Sequence, residues 1–113
     1  MTVRVSQINL CLYCVDINSY TLANRCGSIE KITALTNWRE STLFDDTERL
    51  ALDYAETMTH TDLQVTDEQF NALKTYFDDE SIVELTGLIA FQNMSCKFNN
   101  ALDIPSQDFC FNN

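Results

Sequence analysis

Two cysteines, in the run Cys11-Leu12-Tyr13-Cys14, are the residues of this sequence best suited to chemistry. Residues three apart are neighbours on a helix, so both thiols are predicted to lie on one face of a helical turn. At that spacing they can join as a disulfide and separate again as a dithiol. Near a helix N-terminus, unpaired backbone N–H groups and the helix dipole favour the thiolate, which is the reactive form. The pattern therefore predicts a redox-active pair.

Two other interpretations of this pair stay open. Free cysteine packs well as a small apolar residue, so both thiols could be unreactive members of the core. They could also bind zinc, but a structural zinc site needs four ligands, and the sequence has neither a second CxxC nor an HxxxH. We therefore predict no metal site and no cofactor.

Three neighbouring residues are candidates for assisting the thiols. Asn18 lies four residues after Cys14, one helical turn on, and is predicted to face it. Tyr13 could donate a hydrogen bond to a sulfur or a peroxide, or pack as an ordinary aromatic residue. Asp16 lies two residues from Cys14 and should point elsewhere, as a solvated acid on the helix surface, unless it relays protons to the site.

The length and charge of the chain bound its class. The chain has 113 residues, which suits one domain over residues 1–113, and a formal net charge of −10. That charge argues against nucleic acid or an anionic membrane surface as a partner. No apolar run is long enough to cross a membrane, and residues 1–7 do not resemble a secretion signal, so we expect a cytoplasmic protein. Five cysteines, an odd number, rule out a complete framework of paired disulfides.

Capping residues and apolar spacing predict an all-α fold, a compact bundle of five or six helices. Residues 3–9 are expected to be the end of a helix that begins at or before Met1. The second helix is expected over residues 10–25, with Gly27 as its cap. Capping boxes at Asp45 and Thr66 begin two later helices, and residues 39–44 form a loop. A repeat of apolar residues every three positions, at Ile29, Ile32, Leu35 and Trp38, predicts one buried helical stripe.

The last helix, about Glu80 to Asn100, is strongly apolar on more than one face and ends before Pro105. We therefore expect most of it to be buried, in the centre of the bundle or in a homo-oligomer. His60 is expected in a solvent-exposed loop. The remaining cysteines, Cys26, Cys96 and Cys110, are expected to be core or tail residues.

Several motifs follow one another in a familiar order. They are Arg4 to Asn9 followed by Cys11-x-Tyr13-Cys14-x-Asp16, then Trp38-Arg39-Glu40, Asp46 to Leu52, Phe98 to Ile104 and Ser106 to Cys110. This succession resembles the AhpD-like alkylhydroperoxidases of the carboxymuconolactone decarboxylase family, in the branch that carries a CxxC. The namesake decarboxylation is not expected of that branch.

The resemblance implies a small all-helical subunit that assembles into homo-oligomers, often trimers or hexamers. It also implies peroxide reduction, in which one thiolate attacks the peroxide and becomes a sulfenic acid. The second thiol then forms a disulfide, which an external thiol reductant of the thioredoxin or lipoyl type reduces. We assign the attack to Cys14, because Asn18 occupies the relay position beside it, and the resolving step to Cys11.

The chain departs from the family pattern, Glu-x11-Cys-x2-Cys-x3-His, at three positions. The relay Glu would precede Met1, so either the domain lacks the family's N-terminal helix or its true start lies upstream. Asn18 stands in place of the relay His. The Gly before the first Cys is Leu10, which costs about 1 kcal/mol if that position needs a positive φ. Two alternatives therefore accompany the peroxidase: a disulfide oxidoreductase or redox sensor, and a non-catalytic oligomeric member.

Overall fold

The computed structural model describes residues 1–26 and 29–106, and the side chains of all of these except 24–26. Within these ranges the chain is all-α, as predicted. The helices are α1 (Thr2–Ile8), α2 (Leu12–Cys26), α3 (Ile29–Ala34), a 3-10 helix (Leu35–Glu40), α4 (Asp46–Thr59), α5 (Asp67–Tyr76) and α6 (Asp79–Ala101). The predictions for Gly27, the Cys26 side chain and Cys110 lie outside the described residues.

Carboxylate side chains cap α4 and α6, the two longest helices that follow α2 in the chain. Asp45 accepts a hydrogen bond from the Glu48 backbone N–H at 2.8 Å, and the Glu48 side chain accepts one from the Asp45 N–H at 3.2 Å. This completes the predicted capping box of α4. Asp78 caps α6 in the same way, accepting from the Ser81 N–H at 2.8 Å. Both helices thus begin where the sequence predicts.

The capping box predicted for α5 forms only in part. The Thr66 hydroxyl accepts a hydrogen bond from the Gln69 N–H at 3.1 Å. The Gln69 side chain, however, donates to Asp53 at 2.9 Å and to Thr57 at 3.0 Å. The Gln69 side chain therefore links α5 to α4 by hydrogen bonds and does not bond back to the N-cap of its own helix.

The short helix α1 is the centre of packing. Val5 is fully buried in a cluster with residues of α4, α5 and α6, namely Tyr54, Ala55, Leu73, Ile82 and Ile89. Val3 is buried in a second cluster, with Leu35, Trp38, Phe44 and Leu52. Seven residues form too short a helix to be stable alone, so α1 is held by these contacts, and so is the turn that follows it.

One partly buried carboxylate, Glu56 of α4, binds side chains of α1 and of the 3-10 helix. It accepts hydrogen bonds from Arg4 of α1 at 2.9 Å and from Trp38 and Arg39 of the 3-10 helix at 2.8 and 2.9 Å. Burial opposes ionisation of Glu56 and is the largest single influence on its pKa. The hydrogen bonds from Trp38, Arg4 and Arg39 together outweigh burial and hold that pKa below its usual value.

Two boundaries differ from the prediction. Helix α2 begins at Leu12 rather than Leu10, and a 3-10 helix extends into the predicted loop as far as Glu40. The predicted stripe is also wrong at its start, because Ile29 is 70% exposed whereas Leu35 and Trp38 are buried. An apolar repeat of three residues does not stay on one face of an α-helix, which has 3.6 residues per turn, so the stripe drifts around α3.

Helix α6 has two different sides. One side is buried against the bundle, at Ile82, Ile89, Gln92 and Cys96. The opposite side carries exposed apolar side chains at Val83, Leu88, Phe91, Met94, Phe98 and Leu102. The prediction that α6 is mostly buried is therefore wrong for the single chain, and its burial in an oligomer stays a prediction. Throughout the described ranges, no helix combines the length and apolarity needed to span a bilayer.

Candidate active site

The turn between α1 and α2 directs the first thiol inward. The Cys11 N–H donates to the Ser6 carbonyl at 3.0 Å and the Leu10 N–H to the Gln7 carbonyl at 3.1 Å. These two bonds form a Schellman motif, in which the residue at the Leu10 position must be left-handed. Leu10 has φ 56° and its side chain is 81% exposed. The position that is Gly in the family pattern thus needs a positive φ, and Leu10 adopts it.

Both cysteines of the motif lie at the start of α2, as predicted. The Cys11 carbonyl accepts the first hydrogen bond of the helix, from the Val15 N–H at 2.9 Å. The Cys11 Sγ accepts another from the Cys14 N–H at 3.4 Å, in the manner of an N-cap side chain. Cys14 lies in the first turn, where the helix dipole favours negative charge on its sulfur.

A third thiol joins the pair from the far end of the chain. The Sγ atoms of Cys11, Cys14 and Cys96 all lie within 4.8 Å of one another, and the three residues are 1%, 2% and 0% exposed. Sequence reasoning had placed Cys96 in the core without a role. Among the described residues, these thiols form a group close enough to share an ion, but they are one short of the four ligands of structural zinc.

Two amides of α6 donate hydrogen bonds to the sulfurs. Asn99 Nδ2 lies 3.3 Å from Cys14 Sγ, and Gln92 Nε2 lies 3.4 Å from Cys96 Sγ. A donor to sulfur stabilises the thiolate relative to the thiol. Sequence reasoning missed both amides. The signal that could have found them is the spacing of Gln92, Cys96 and Asn99, which places three polar or sulfur-bearing residues on one face of an apolar helix.

Asn18 reaches the cluster on the side of Cys96. Its Nδ2 donates to Ser6 Oγ and to Gln92 Oε1, both at 3.1 Å. Gln92 in turn donates to Cys96, and the Cys96 thiol lies 3.8 Å from its acceptor Ser6 Oγ. The residue at the family's relay position therefore orients the groups around Cys96, and its role toward Cys14 stays a prediction.

Of the other two sequence candidates, Tyr13 lies in surroundings that were expected and Asp16 does not. Tyr13 packs against the three thiols, which agrees with the reading of a packed aromatic residue. Asp16 is only 1% exposed, so the expectation of a solvated surface acid is wrong. The helix carries it into the interior because α2 packs against both α1 and α6. His60 is exposed beyond the end of α4, as expected.

Burial sets the ionisation of two of the thiols. It raises the pKa of Cys11 to about 12, with the hydrogen bond to the Cys14 side chain acting in the same direction. Burial likewise raises the pKa of Cys96. Both groups therefore hold their protons at neutral pH, which disfavours either of them as the thiol that attacks first.

Known proteins are similar to this chain in sequence and in fold. Residues 1–57, which include both cysteines of the motif, match the model of the carboxymuconolactone decarboxylase family. The uncharacterized protein YnjA of Escherichia coli is 46% identical over 110 residues, which are 97% of this chain and 60% of YnjA. The uncharacterized protein YdfG of Bacillus subtilis is 28% identical over 88 residues, 77% of this chain and 60% of YdfG. The chain thus spans about 60% of the length of these relatives.

A solved structure matches the fold closely. ATU0492 of Agrobacterium tumefaciens, a protein of unknown function described as a candidate antioxidant defence protein AhpD, superposes with a TM-score of 0.89 at 27% identity. The match covers 93% of this chain and 73% of that one.

Proposed function

Because this chain belongs to the carboxymuconolactone decarboxylase family, we propose that it is a thiol-dependent peroxidase that reduces hydrogen peroxide or organic hydroperoxides. The observation that supports this most is the arrangement of Cys11 and Cys14 at the start of α2, with their Sγ atoms within 4.8 Å. The description of the Agrobacterium structure as a candidate antioxidant protein points the same way.

Cys14 is the attacking residue in this proposal. It lies in the first turn of α2, and its sulfur accepts a hydrogen bond from Asn99 at 3.3 Å. The start of a helix is a typical environment of reactive cysteines in proteins. Cys11, whose pKa burial raises to about 12, is poorly suited to attack a peroxide and well suited to resolve the product.

The reaction balances with these two thiols. The Cys14 thiolate takes the distal oxygen of the hydroperoxide, which breaks the O–O bond and gives a sulfenic acid and an alkoxide. The alkoxide takes back from solvent the proton that Cys14 lost on ionisation and leaves as the alcohol. Cys11 then displaces the hydroxyl group as water, and an S–S bond forms. In sum, two thiols and one hydroperoxide give a disulfide, an alcohol and water. An external dithiol of the thioredoxin or lipoyl type, as expected in a cytoplasmic setting, reduces the disulfide by exchange.

Asn18 limits the expected rate. An amide cannot take up or release a proton near neutral pH, so it cannot do the work of the relay His. This is the observation that favours the second candidate function, a disulfide oxidoreductase or redox sensor with no peroxide specificity. A non-catalytic family member is the third. Peroxide should oxidise the pair rapidly if the first proposal is correct and slowly if the second is.

The test is peroxide consumption by the reduced protein. We expect the wild type to consume one equivalent per chain, and to continue when a dithiol is present. Cys14→Ser should abolish consumption, whereas Cys11→Ser, which keeps the attacking thiol, should still consume one equivalent. If Cys14→Ser consumes peroxide as fast as the wild type, the assignment of the attack to Cys14 is wrong. If the wild type consumes none, the peroxidase proposal fails.

Asn99→Ala tests the hydrogen bond to the attacking sulfur. Loss of one donor to a charged group should slow the first oxidation about tenfold. Asn100→Ala is the matched control, since its amide donates to the Asn9 carbonyl at 2.8 Å rather than to a sulfur. Equal rates for the two variants would contradict the role given to Asn99.

We also propose that the protein is a homo-oligomer that buries the outer side of α6. The six apolar residues exposed there lie on one side of the helix, and contiguous exposed apolar patches mark sites of protein interaction. Light scattering at micromolar concentration should give a multiple of the chain mass, and Phe91→Glu should reduce it. Asn71→Glu, which adds the same charge on the exposed surface of α5, should not. A monomer mass for the wild type would overturn this proposal.

A further inference from the structure

We propose that Cys96 is a third redox-active thiol, which forms a disulfide with Cys14 as an alternative to Cys11. The proposal rests on the function proposed above for its peroxide-driven form. The three sulfurs lie within 4.8 Å of one another, so neither partner of Cys14 is excluded by distance. Formation of the bond requires this separation to close to about 2.0 Å, by rotation of the cysteine side chains.

The surroundings of Cys96 differ from those of an ordinary core cysteine. A cysteine that acts only as a small apolar residue needs no polar neighbours. Here, Gln92 is itself buried and directs its Nε2 at Cys96 Sγ from 3.4 Å. Asn18 holds the Gln92 amide by donating to its Oε1 at 3.1 Å. The amide is thus oriented with its N–H group toward the sulfur, as Asn99 is toward Cys14.

The chemistry of the step balances. A Cys14 sulfenic acid and the Cys96 thiol give a Cys14–Cys96 disulfide and one water, in which the hydroxyl oxygen comes from the sulfenic acid and the second proton from the Cys96 thiol. Burial keeps Cys96 protonated at neutral pH, so this proton is at hand. The Cys11 thiol can then attack the Cys14 sulfur, release Cys96 and give the Cys11–Cys14 disulfide by exchange.

Tryptic mapping can identify the proposed bond. Cleavage after Arg and Lys leaves Cys11 and Cys14 on peptide 5–25 and Cys96 on peptide 75–97, with Cys26 and Cys110 on two other peptides. In the Cys11→Ser protein, a link between peptides 5–25 and 75–97 is therefore a Cys14–Cys96 disulfide. Mixing isotope-labelled and unlabelled chains distinguishes a bond within one chain from a bond between chains.

The experiment treats reduced Cys11→Ser with one equivalent of hydrogen peroxide, and separately with diamide, which oxidises dithiols without a sulfenic acid. We expect the link in both cases, within single chains. In Cys11→Ser/Cys96→Ser, a Cys14 sulfenic acid that reacts with dimedone should persist at least about tenfold longer. Cys11→Ala repeats the measurement if serine is not tolerated at this buried position.

The possible results separate the two proposals. If neither oxidant links the peptides in either Cys11 variant, while Cys14 becomes labelled by dimedone, the role of Cys96 is refuted and the peroxidase proposal stands. If diamide links them but peroxide oxidises neither these variants nor the wild type, Cys96 is a redox partner and the peroxidase proposal fails. A link found only between chains also refutes the assignment.

Discussion

Replacing Leu10 by glycine should stabilise the protein, although the change removes a large apolar side chain. Leu10 has φ 56°, a conformation that costs an L-residue about 1–2 kcal/mol and glycine almost nothing. Glycine makes the unfolded chain more flexible, which returns about 0.4–1 kcal/mol of that gain. The side chain is 81% exposed, so little packing is lost. We expect the free energy of unfolding to rise by about 0.5–1 kcal/mol.

Urea unfolding of the reduced protein measures this difference. Leu10→Ala is the matched control, because it removes the same side chain and keeps the cost of the positive φ. A second left-handed residue, Asp103 with φ 54°, ends α6 in a Schellman motif of the same kind. Asp103→Gly should gain less, since Asp tolerates this conformation better than Leu. If Leu10→Gly is no more stable than Leu10→Ala, backbone strain at Leu10 does not explain the family's glycine.

Three further predictions concern ionisation and helix propensity. Because the pKa of Glu56 is lowered from 4.5, its contribution to stability is present above pH 4.5 and lost as the pH falls through the lowered value. Glu56→Gln should therefore cost about 2 kcal/mol at neutral pH in urea unfolding and much less at about pH 3. The pKa of Cys11 is raised, so its effect on stability has the opposite pH dependence. The contribution of the Cys11 thiol to stability is full below pH 9.0 and lost as the pH rises toward 12. The midpoint of thermal unfolding should therefore fall more steeply with alkaline pH for the wild type than for Cys11→Ala. In the Phe91→Glu protein, whose oligomer is expected to be weakened, Gly87→Ala should raise the free energy of unfolding by about 1 kcal/mol, since an added Cβ meets no atom of its own chain within 4 Å. An unchanged or lower value in that protein would contradict the gain expected from helix propensity.

Local rules predicted much of the fold. Asp45 and Glu48 form their capping box because this motif needs only residues three apart. Cys11 and Cys14, also three apart, are joined by an N-cap hydrogen bond at the start of α2. Comparison of Leu10 with the family pattern indicated only that Leu is strained if this position needs a positive φ, and the φ of 56° shows that the condition is met.

Long-range features were not accessible in this way. Cys96 joins Cys11 and Cys14 only because α6 packs against both α1 and α2, and no local pattern encodes that contact. The apolar residues on the outer side of α6 made the helix look apolar on more than one face, so the polar positions Gln92 and Asn99 gave no visible pattern and most of the helix was expected to be buried. Asp16 was misplaced for the same reason, because its burial depends on the neighbours of α2.

Because α6 has two different sides, the number of residues in the helix is more strictly constrained than the identity of the residues on its outer side. One inserted residue rotates everything that follows by about 100° around the helix axis. An insertion between Asp78, which caps the helix, and Gln92 would therefore turn Cys96 and Asn99 away from Cys14, and bring the row that contains Phe98 toward the interior. Substitutions on the outer side do not change the positions of Cys96 and Asn99 around the helix axis. Among descendants of this gene, α6 should accordingly accumulate replacements but not insertions or deletions between its N-terminal cap and its last turn.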